Sequence, residues 1–288
     1  MFSTVGSWKI GYRSVFLVLF GWFPGVFSCV DAQQVMVVPQ IRAHAHNDYY
    51  HKRPLLDALQ HGFTSVEADI MLKDGELLVG HSRLEARGDR TLDALYLAPL
   101  AKRVKENKGT VYLTPSRFIL LIDFKTQAAD TLAVLQKQIQ PYRSMLTRYE
   151  QGTVHQGAVT IILSGNRPVA EVAKLDDRYL FIDGRFPDLN NDITTDLVPL
   201  VSAPWNRTFS WQGFGTMSDG ELMKLRTIIK SAHAQKKLVR FWALPERENL
   251  WQLLYDEGID LINVDDLPRL EKFLQRQPDS RTPSKPTP

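Results

Sequence analysis

Three pieces of residues 44–81 decide the reading of this chain: HAHND at 44–48, SVEADI at 65–70 and LLVGH at 77–81. They bring His44, His46, Asn47, Glu67, Asp69 and His81 into one stretch patterned as strand, helix, strand. Glu67 and Asp69 are two apart in a β-type run, and residues two apart in a strand share a face. Two carboxylates beside Val66 and Ile70 repel each other and resist burial unless something positive lies between them. A divalent cation meets that need, and histidines on either side then suggest proton transfer around a bound substrate. Taken singly, each piece is ordinary. A Glu-x-Asp pair usually marks a solvated strand face, and a histidine near a strand end is usually a hydrogen-bonded structural residue. Their concentration at strand ends within one segment sets this stretch apart. Asn47 and Asp48 also suit a tight turn after the first strand.

Outward from this stretch, eight β-type runs can be read at 41–46, 65–72, 118–124, 159–164, 179–183, 197–203, 237–243 and 261–264. Helical stretches at 54–60, 128–142, 168–174, 219–235 and 249–257 alternate with them. FILLI at 118–122 and VTIIL at 159–163 are unbroken apolar runs, as strands of a parallel sheet buried on both faces require. A further short strand at 76–80 pairs with the second as a hairpin across Lys73-Asp74-Gly75. The alternation predicts the α/β class and, within it, a (β/α)8 TIM barrel. An open doubly wound sheet is disfavoured, because no Gly-rich phosphate loop follows the first strand.

Composition sets the outer limits. The chain has 288 residues, 44% of them hydrophobic and 23% charged, which is ample for a globular core. A net charge of +3 without a Lys/Arg run argues against nucleic-acid binding. Lys9 and Arg13 precede an apolar run at 15–27 that is interrupted by Gly21, Pro24 and Gly25, too short and broken for a transmembrane helix. Small residues follow at Val30-Asp31-Ala32. The expectation is a secretory signal peptide at 1–32, a mature secreted or periplasmic barrel at 33–276 starting at Gln33, and a disordered polar tail at 277–288. An uncleaved N-terminal anchor is the alternative. Cys29 is the single cysteine, so neither an intramolecular disulfide nor a thiolate metal site can form. Its setting, Val26-Phe27-Ser28-Cys29, approximates a lipoprotein cleavage box, but Phe27 departs from the small or aliphatic residue expected there, which makes lipid anchoring the lesser reading. The mature chain is expected to act as a monomer.

Active sites of β/α barrels gather at the C-terminal ends of the strands. Reading that position from each strand gives His44 and His46, then Glu67 and Asp69 with His81 after the hairpin, then Asp123 and Lys125. Ser164, Gly165 and Asn166 follow, then Asp183, Arg240 with Trp242, and Asp265 with Asp266. Asp123 ends an apolar strand and needs a partner. Glu67, Asp69 and Asp123 make an all-oxygen set that suits Mg²⁺ or Ca²⁺ better than zinc. Lys125 is placed to hold an anionic substrate oxygen, or else simply pairs with a neighbouring acid. Asp266 reads as a helix cap, and Asp183, before Gly184, as a turn residue.

HAHNDY, SVEADI, LLVGH, LIDFKT, SGNRP and INVDDL together resemble the superfamily of glycerophosphodiester phosphodiesterases and phosphatidylinositol-specific phospholipases C, to which spider-venom phospholipase D is related. The likeness spans residues 41–267 and is nearest to the branch that includes the fungal altered-inheritance-of-mitochondria protein six. It implies a β/α barrel that hydrolyses a phosphodiester, small-molecule or lipid, with two histidines as general acid and base and one divalent cation. It implies metal ligation by Glu67, Asp69 and Asp123, catalysis by His81, and phosphate contact by Lys125. His46 with Asn47 matches the His-Asn pair of the phospholipases C, whose Asn can also bind metal. His44 remains as an accessory or alternative first histidine. Asn166, Arg240 and Trp242 complete the expected substrate-binding set. The His-Arg-Gly motif of glycerophosphodiesterases is absent, so the resemblance leaves the alcohol of the substrate open.

Three rival readings compete. HAH also fits the His-x-His of metal-dependent amidohydrolases, but those need further metal-binding histidines on later strands, and only His155 and His233 lie beyond residue 81. A glycosidase would use the carboxylates and leave the histidines without a role. A catalytically inactive binding barrel is the third.

Overall fold

The computed structural model describes residues 1–4, 6–7, 37–191 and 193–278. The expected signal peptide at 1–32, with Cys29 and the cleavage site, and most of the tail at 277–288 lie outside the described residues apart from the few just named. The barrel belongs to the unit Met36–Pro288.

Eight parallel strands close on themselves: β1 (Gln40–Ala45), β2 (Phe63–Lys73), β3 (Phe118–Phe124), β4 (Val159–Gly165), β5 (Leu180–Gly184), β6 (Leu200–Pro204), β7 (Leu238–Trp242) and β8 (Leu261–Val264). Each neighbours the next in sequence order, and β1 pairs with both β2 and β8, so the cylinder has no open edge. The helices between them are α1 (Leu56–Gln60), α2 (Ala98–Glu106), α3 (Ala128–Gln138), α4 (Val169–Ala173), α5 (Trp205–Thr208), α6 (Asp219–Ala234), α7 (Glu248–Asp256) and α8 (Leu267–Gln275). All eight expected strands are present, and β3 and β8 have the expected bounds. The strand Glu76–Val79 pairs antiparallel with β2 across Asp74–Gly75, both at positive φ, as a two-residue hairpin turn of this hand requires.

Boundary differences have local causes. The helix expected at 128–142 stops at Gln138 and gives way to a 3₁₀ segment, Gln140–Met145, because Pro141 lacks the N–H an α-helix needs there. β6 starts at Leu200, just after Pro199, rather than at 197. Helix α2 was not expected, nor was a small antiparallel sheet of Arg148–Glu150, Thr153–His155 and Asp177–Arg178.

Alternation along the strands divides the barrel interior into two levels. Ile119, Leu121, Ile162, Phe181, Leu200 and Leu261 form a separate apolar cluster. Two residues further along their strands come Asp123, Ser164, Asp183, Ser202 and Asn263. The apolar level excludes water from below. Every polar group above it must then find its partner inside the barrel or at the mouth.

Candidate active site

Glu67 and Asp69 both face the barrel interior from β2, at 5% and 0% exposure. Asp123 stands directly beside Asp69 in the register between β2 and β3. One oxygen from each of Glu67, Asp69 and Asp123 lies within 4.8 Å of the others, and among the described residues this is the cluster able to hold a metal ion. Asp69 Oδ2 accepts from Tyr49 Oη (2.8 Å) and from His81 Nδ1 (2.8 Å), and Lys125 Nζ lies 3.0 Å away. The other oxygen, Asp69 Oδ1, is buried without a hydrogen-bond partner. Asp123 Oδ1 is also buried and has only the Lys125 ammonium at 3.0 Å, outside hydrogen-bond geometry.

Burial pushes the Asp123 carboxyl up to about 6, the Glu67 and Asp69 charges add to this, and Lys125 opposes it. The cluster therefore lacks positive charge. Orphaned carboxylate oxygens in an all-oxygen set fit a hard divalent cation better than zinc, which favours thiolate and imidazole ligands. Burial would lower the Lys125 ammonium, but the Asp69 and Asp123 carboxylates outweigh it and raise it above its ordinary value. Lys125 is 20% exposed and bridges two of the three acids, so it belongs to the cluster and is not a surface lysine.

His44 lies beneath. It is fully buried, with Nδ1 2.7 Å from Ser65 Oγ and Nε2 2.7 Å from Arg240 Nη1. Arginine only donates, so Nε2 accepts and the ring proton sits on Nδ1, given to Ser65. Burial, followed by the Arg240 charge, presses the imidazole down to about 4, which makes it neutral at physiological pH. Glu67 Oε2 accepts from the same Arg240 Nη1 at 2.5 Å. Burial alone would raise Glu67, but the Arg240 guanidinium holds it well below the usual carboxylate range.

His46 and His81 reach solvent, with side chains 25% and 60% exposed. His46 Nδ1 donates to Asp265 Oδ1 at 2.9 Å. Burial works against the charged form, but this bond and the Glu67 and Asp265 carboxylates raise the imidazole above its ordinary value. His46 lines a cleft of about 540 Å³ with Leu244, Glu246, Asn263, Asp265 and Asp266, among others. His81 is held at its backbone by Glu85, whose carboxylate accepts the His81 amide at 2.8 Å. Gly80 allows this fold-back, because a Cβ there would come within 2.9 Å of Glu85 and the Ala86 amide.

Asn47 takes the left-handed conformation (φ 46°); its Oδ1 accepts from Tyr49 Oη at 2.8 Å and its Nδ2 lies 2.9 Å from His46 Nδ1 without bonding it while that nitrogen donates to Asp265, so Asn47 does not join the carboxylates. Arg240 is 2% exposed, bound to Glu67, His44 and Asn263, and so is an internal counter-ion rather than a residue at the mouth. Asn166 is exposed, with its amide donating to the Thr126 carbonyl at 3.2 Å. Trp242 ends β7 half-buried. Asp266 caps α8 as expected, accepting from the Arg269 amide at 3.2 Å. Asp183 is no turn residue. It lies wholly inside β5, accepting from Ser164 and Ser202 Oγ, each at 2.7 Å. Its inward direction follows from alternation with Phe181, a signal available in the sequence. Tyr49, Ser65 and Asn263 stand in the HAHNDY, SVEADI and INVDDL motifs, but nothing in the sequence alone marks them as site residues. His155 lies in the small antiparallel sheet and His233 pairs with Asp260 at 2.8 Å, so neither joins the acidic cluster.

A closed β/α barrel with an acidic cluster and two solvent-facing imidazoles defines the class. Residues 32–183 match the model of the AIM6-like phosphodiesterase domain. The chain is 30% identical over 276 residues to altered inheritance of mitochondria protein 6 of Eremothecium gossypii, covering 81% of this chain and 69% of that one. The homolog from Arthroderma benhamiae is 30% identical over 261 residues, covering 80% and 82%. The chain belongs to the AIM6-like phosphodiesterase domain family. Solved structures with a similar course include a phosphatidylinositol-specific phospholipase C from Listeria monocytogenes (10% identity, TM-score 0.46, 84% of this chain and 94% of that one). A glycerophosphodiester phosphodiesterase from Agrobacterium tumefaciens is another (12%, 0.47, 81% and 99%).

Proposed function

We propose that this protein hydrolyses a phosphodiester of glycerophosphodiester or phospholipid type, using one divalent cation, Mg²⁺ or Ca²⁺, held by Glu67, Asp69 and Asp123. The observation that carries this reading is the convergence of the three carboxylates, two with orphaned oxygens, beside Lys125 and His81. A cation bound there would neutralise charge growing on the phosphoryl oxygens.

The chain's own groups perform the remaining work. Lys125 presents a second positive charge at the edge of the cluster. His46 and His81 each give Nδ1 to a carboxylate, Asp265 and Asp69, which orients the ring and leaves Nε2 to exchange protons. One Nε2 takes the proton of the attacking hydroxyl, from water or a neighbouring substrate hydroxyl. The other protonates the leaving alcohol as the P–O bond breaks. His44 is enclosed, with both nitrogens engaged, and serves to position Glu67 and Arg240.

A panel of phosphodiesters assayed with Mg²⁺ and Ca²⁺ tests the activity. Turnover that chelation abolishes is expected. A rate unaffected by chelator overturns the metal assignment. The Lys9/Arg13 start and the small residues at 30–32 support export of the mature chain, and mass spectrometry of the N-terminus checks it against Gln33.

A further inference from the structure

Asp183 and Arg240 form an unfinished pair in the barrel interior. Asp183 Oδ2 accepts from Ser164, Ser202 and Arg185, whereas Oδ1 is buried with no donor. Arg240 Nη2 lies 3.8 Å from Asp183 Oδ2, and Arg240 Nε is buried with no acceptor. The orphaned donor and the orphaned acceptor sit on neighbouring buried groups and each costs free energy, and a guanidinium turned toward Asp183 would offer Nε to that carboxylate. Arg240 is held on its other side through Nη1, by Glu67 Oε2 at 2.5 Å, His44 Nε2 at 2.7 Å and Asn263 Oδ1 at 3.3 Å, and of these only Glu67 carries a charge. Yet Glu67 is one of the three carboxylates of the cation cluster. A guanidinium and a divalent cation compete for the same carboxylate charge, because both are positive and the site is dry.

We infer that Asp183 is the second seat of Arg240: when Glu67 takes part in holding a cation, Arg240 transfers to Asp183, and Asp183 thereby sets the affinity of the acidic cluster. Asp183 is a positioning residue that touches neither substrate nor cation. The charges fit this arrangement. Glu67, Asp69, Asp123 and Asp183 face Lys125, Arg185 and Arg240. One divalent cation and one singly charged phosphodiester then bring the interior to neutrality, with Arg240 retained beside Asp183. Ser164 and Ser202 keep the Asp183 carboxylate in place through the exchange. This inference rests on the proposed cation site.

The test compares crystal structures of the full chain with and without Mn²⁺, together with Mn²⁺ affinity by titration calorimetry. Loading is expected to bring an Arg240 nitrogen to hydrogen-bond distance of Asp183 and to lengthen its contact with Glu67. Asp183→Asn is expected to weaken Mn²⁺ binding roughly tenfold, the effect of one lost charged partner, but to change it little in an Arg240→Gln background. An ion bound by Glu67, Asp69 and Asp123 with Arg240 unmoved overturns the inference and leaves the cation site standing. Equal weakening by Asp183→Asn in both backgrounds also overturns it. No ion at the cluster in the wild-type structure overturns both the inference and the function it rests on.

Discussion

A Cβ added to Gly165 would lie 2.1 Å from Asp123 Oδ1 and 2.6 Å from the Phe124 carbonyl oxygen. Gly165 also holds φ +66°, which disfavours any side chain with a Cβ. The absence of a side chain at the end of β4 is therefore what leaves room for Asp123 Oδ1. Gly165→Ala should displace Asp123 and weaken divalent-cation binding by tenfold or more. Backbone strain at this position adds a stability loss of about 1–3 kcal/mol. Calorimetric titration and thermal melts separate the two effects. Unchanged affinity would show that Asp123 Oδ1 is not a ligand.

Cation binding should weaken with acidity over a defined range. Asp123 is protonated below about 6 because burial and the Glu67 and Asp69 charges raise it. A cation needs the ionised carboxylate and so competes with that proton. Affinity should be constant above pH 7 and fall as the pH drops through 6. In Asp123→Asn the affinity should be low throughout and should lose this step. Isothermal titration at a series of pH values measures both.

A second carboxyl controls stability rather than binding. Asp48 Oδ2 accepts the Leu55 amide at 2.5 Å and the Tyr96 hydroxyl at 2.9 Å, while Oδ1 is buried without a partner. Burial raises it from 3.8 to about 7, against the two hydrogen bonds. Between these values the unfolded chain releases the proton and the folded chain keeps it. Stability should therefore fall as pH rises from about 4 to 7, by on the order of 4 kcal/mol, and then level off. Asp48→Asn should remove this component and melt higher than wild type at pH 8. If both proteins show the same pH dependence of melting, the carboxyl is already ionised in the folded state.

Most of this fold is legible in the sequence because parallel strands buried on both faces leave unbroken apolar runs, as in FILLI and VTIIL. The carboxylate cluster is legible for a related reason. Glu67, Asp69 and Asp123 stand where alternation and strand ends place them, whatever the partner strands do. Less legible are contacts made across the barrel. Nothing local to Arg240 says that it reaches Glu67 rather than substrate, a separation of 173 residues along the chain. Asp183 beside Gly184 has the local look of a turn, and only counting inward positions from Phe181 places it in the interior. Tyr49 falls on a 3₁₀ turn after β1, where no periodicity indicates direction, so its bond to Asp69 emerges only in three dimensions.

The two-imidazole assignment is the central claim, and turnover by His46→Ala and His81→Ala on phosphodiesters with poor and good leaving groups tests it most directly. Each variant should lose about a hundredfold or more in kcat on the poor leaving group. Cation affinity should stay near wild type, because in this account neither imidazole is a ligand of the cation. A good leaving group should restore much of the rate to the variant lacking the general acid and none to the variant lacking the base. Near-normal turnover by both variants on a substrate the wild type hydrolyses, or a large loss in His44→Ala alone, would contradict the account.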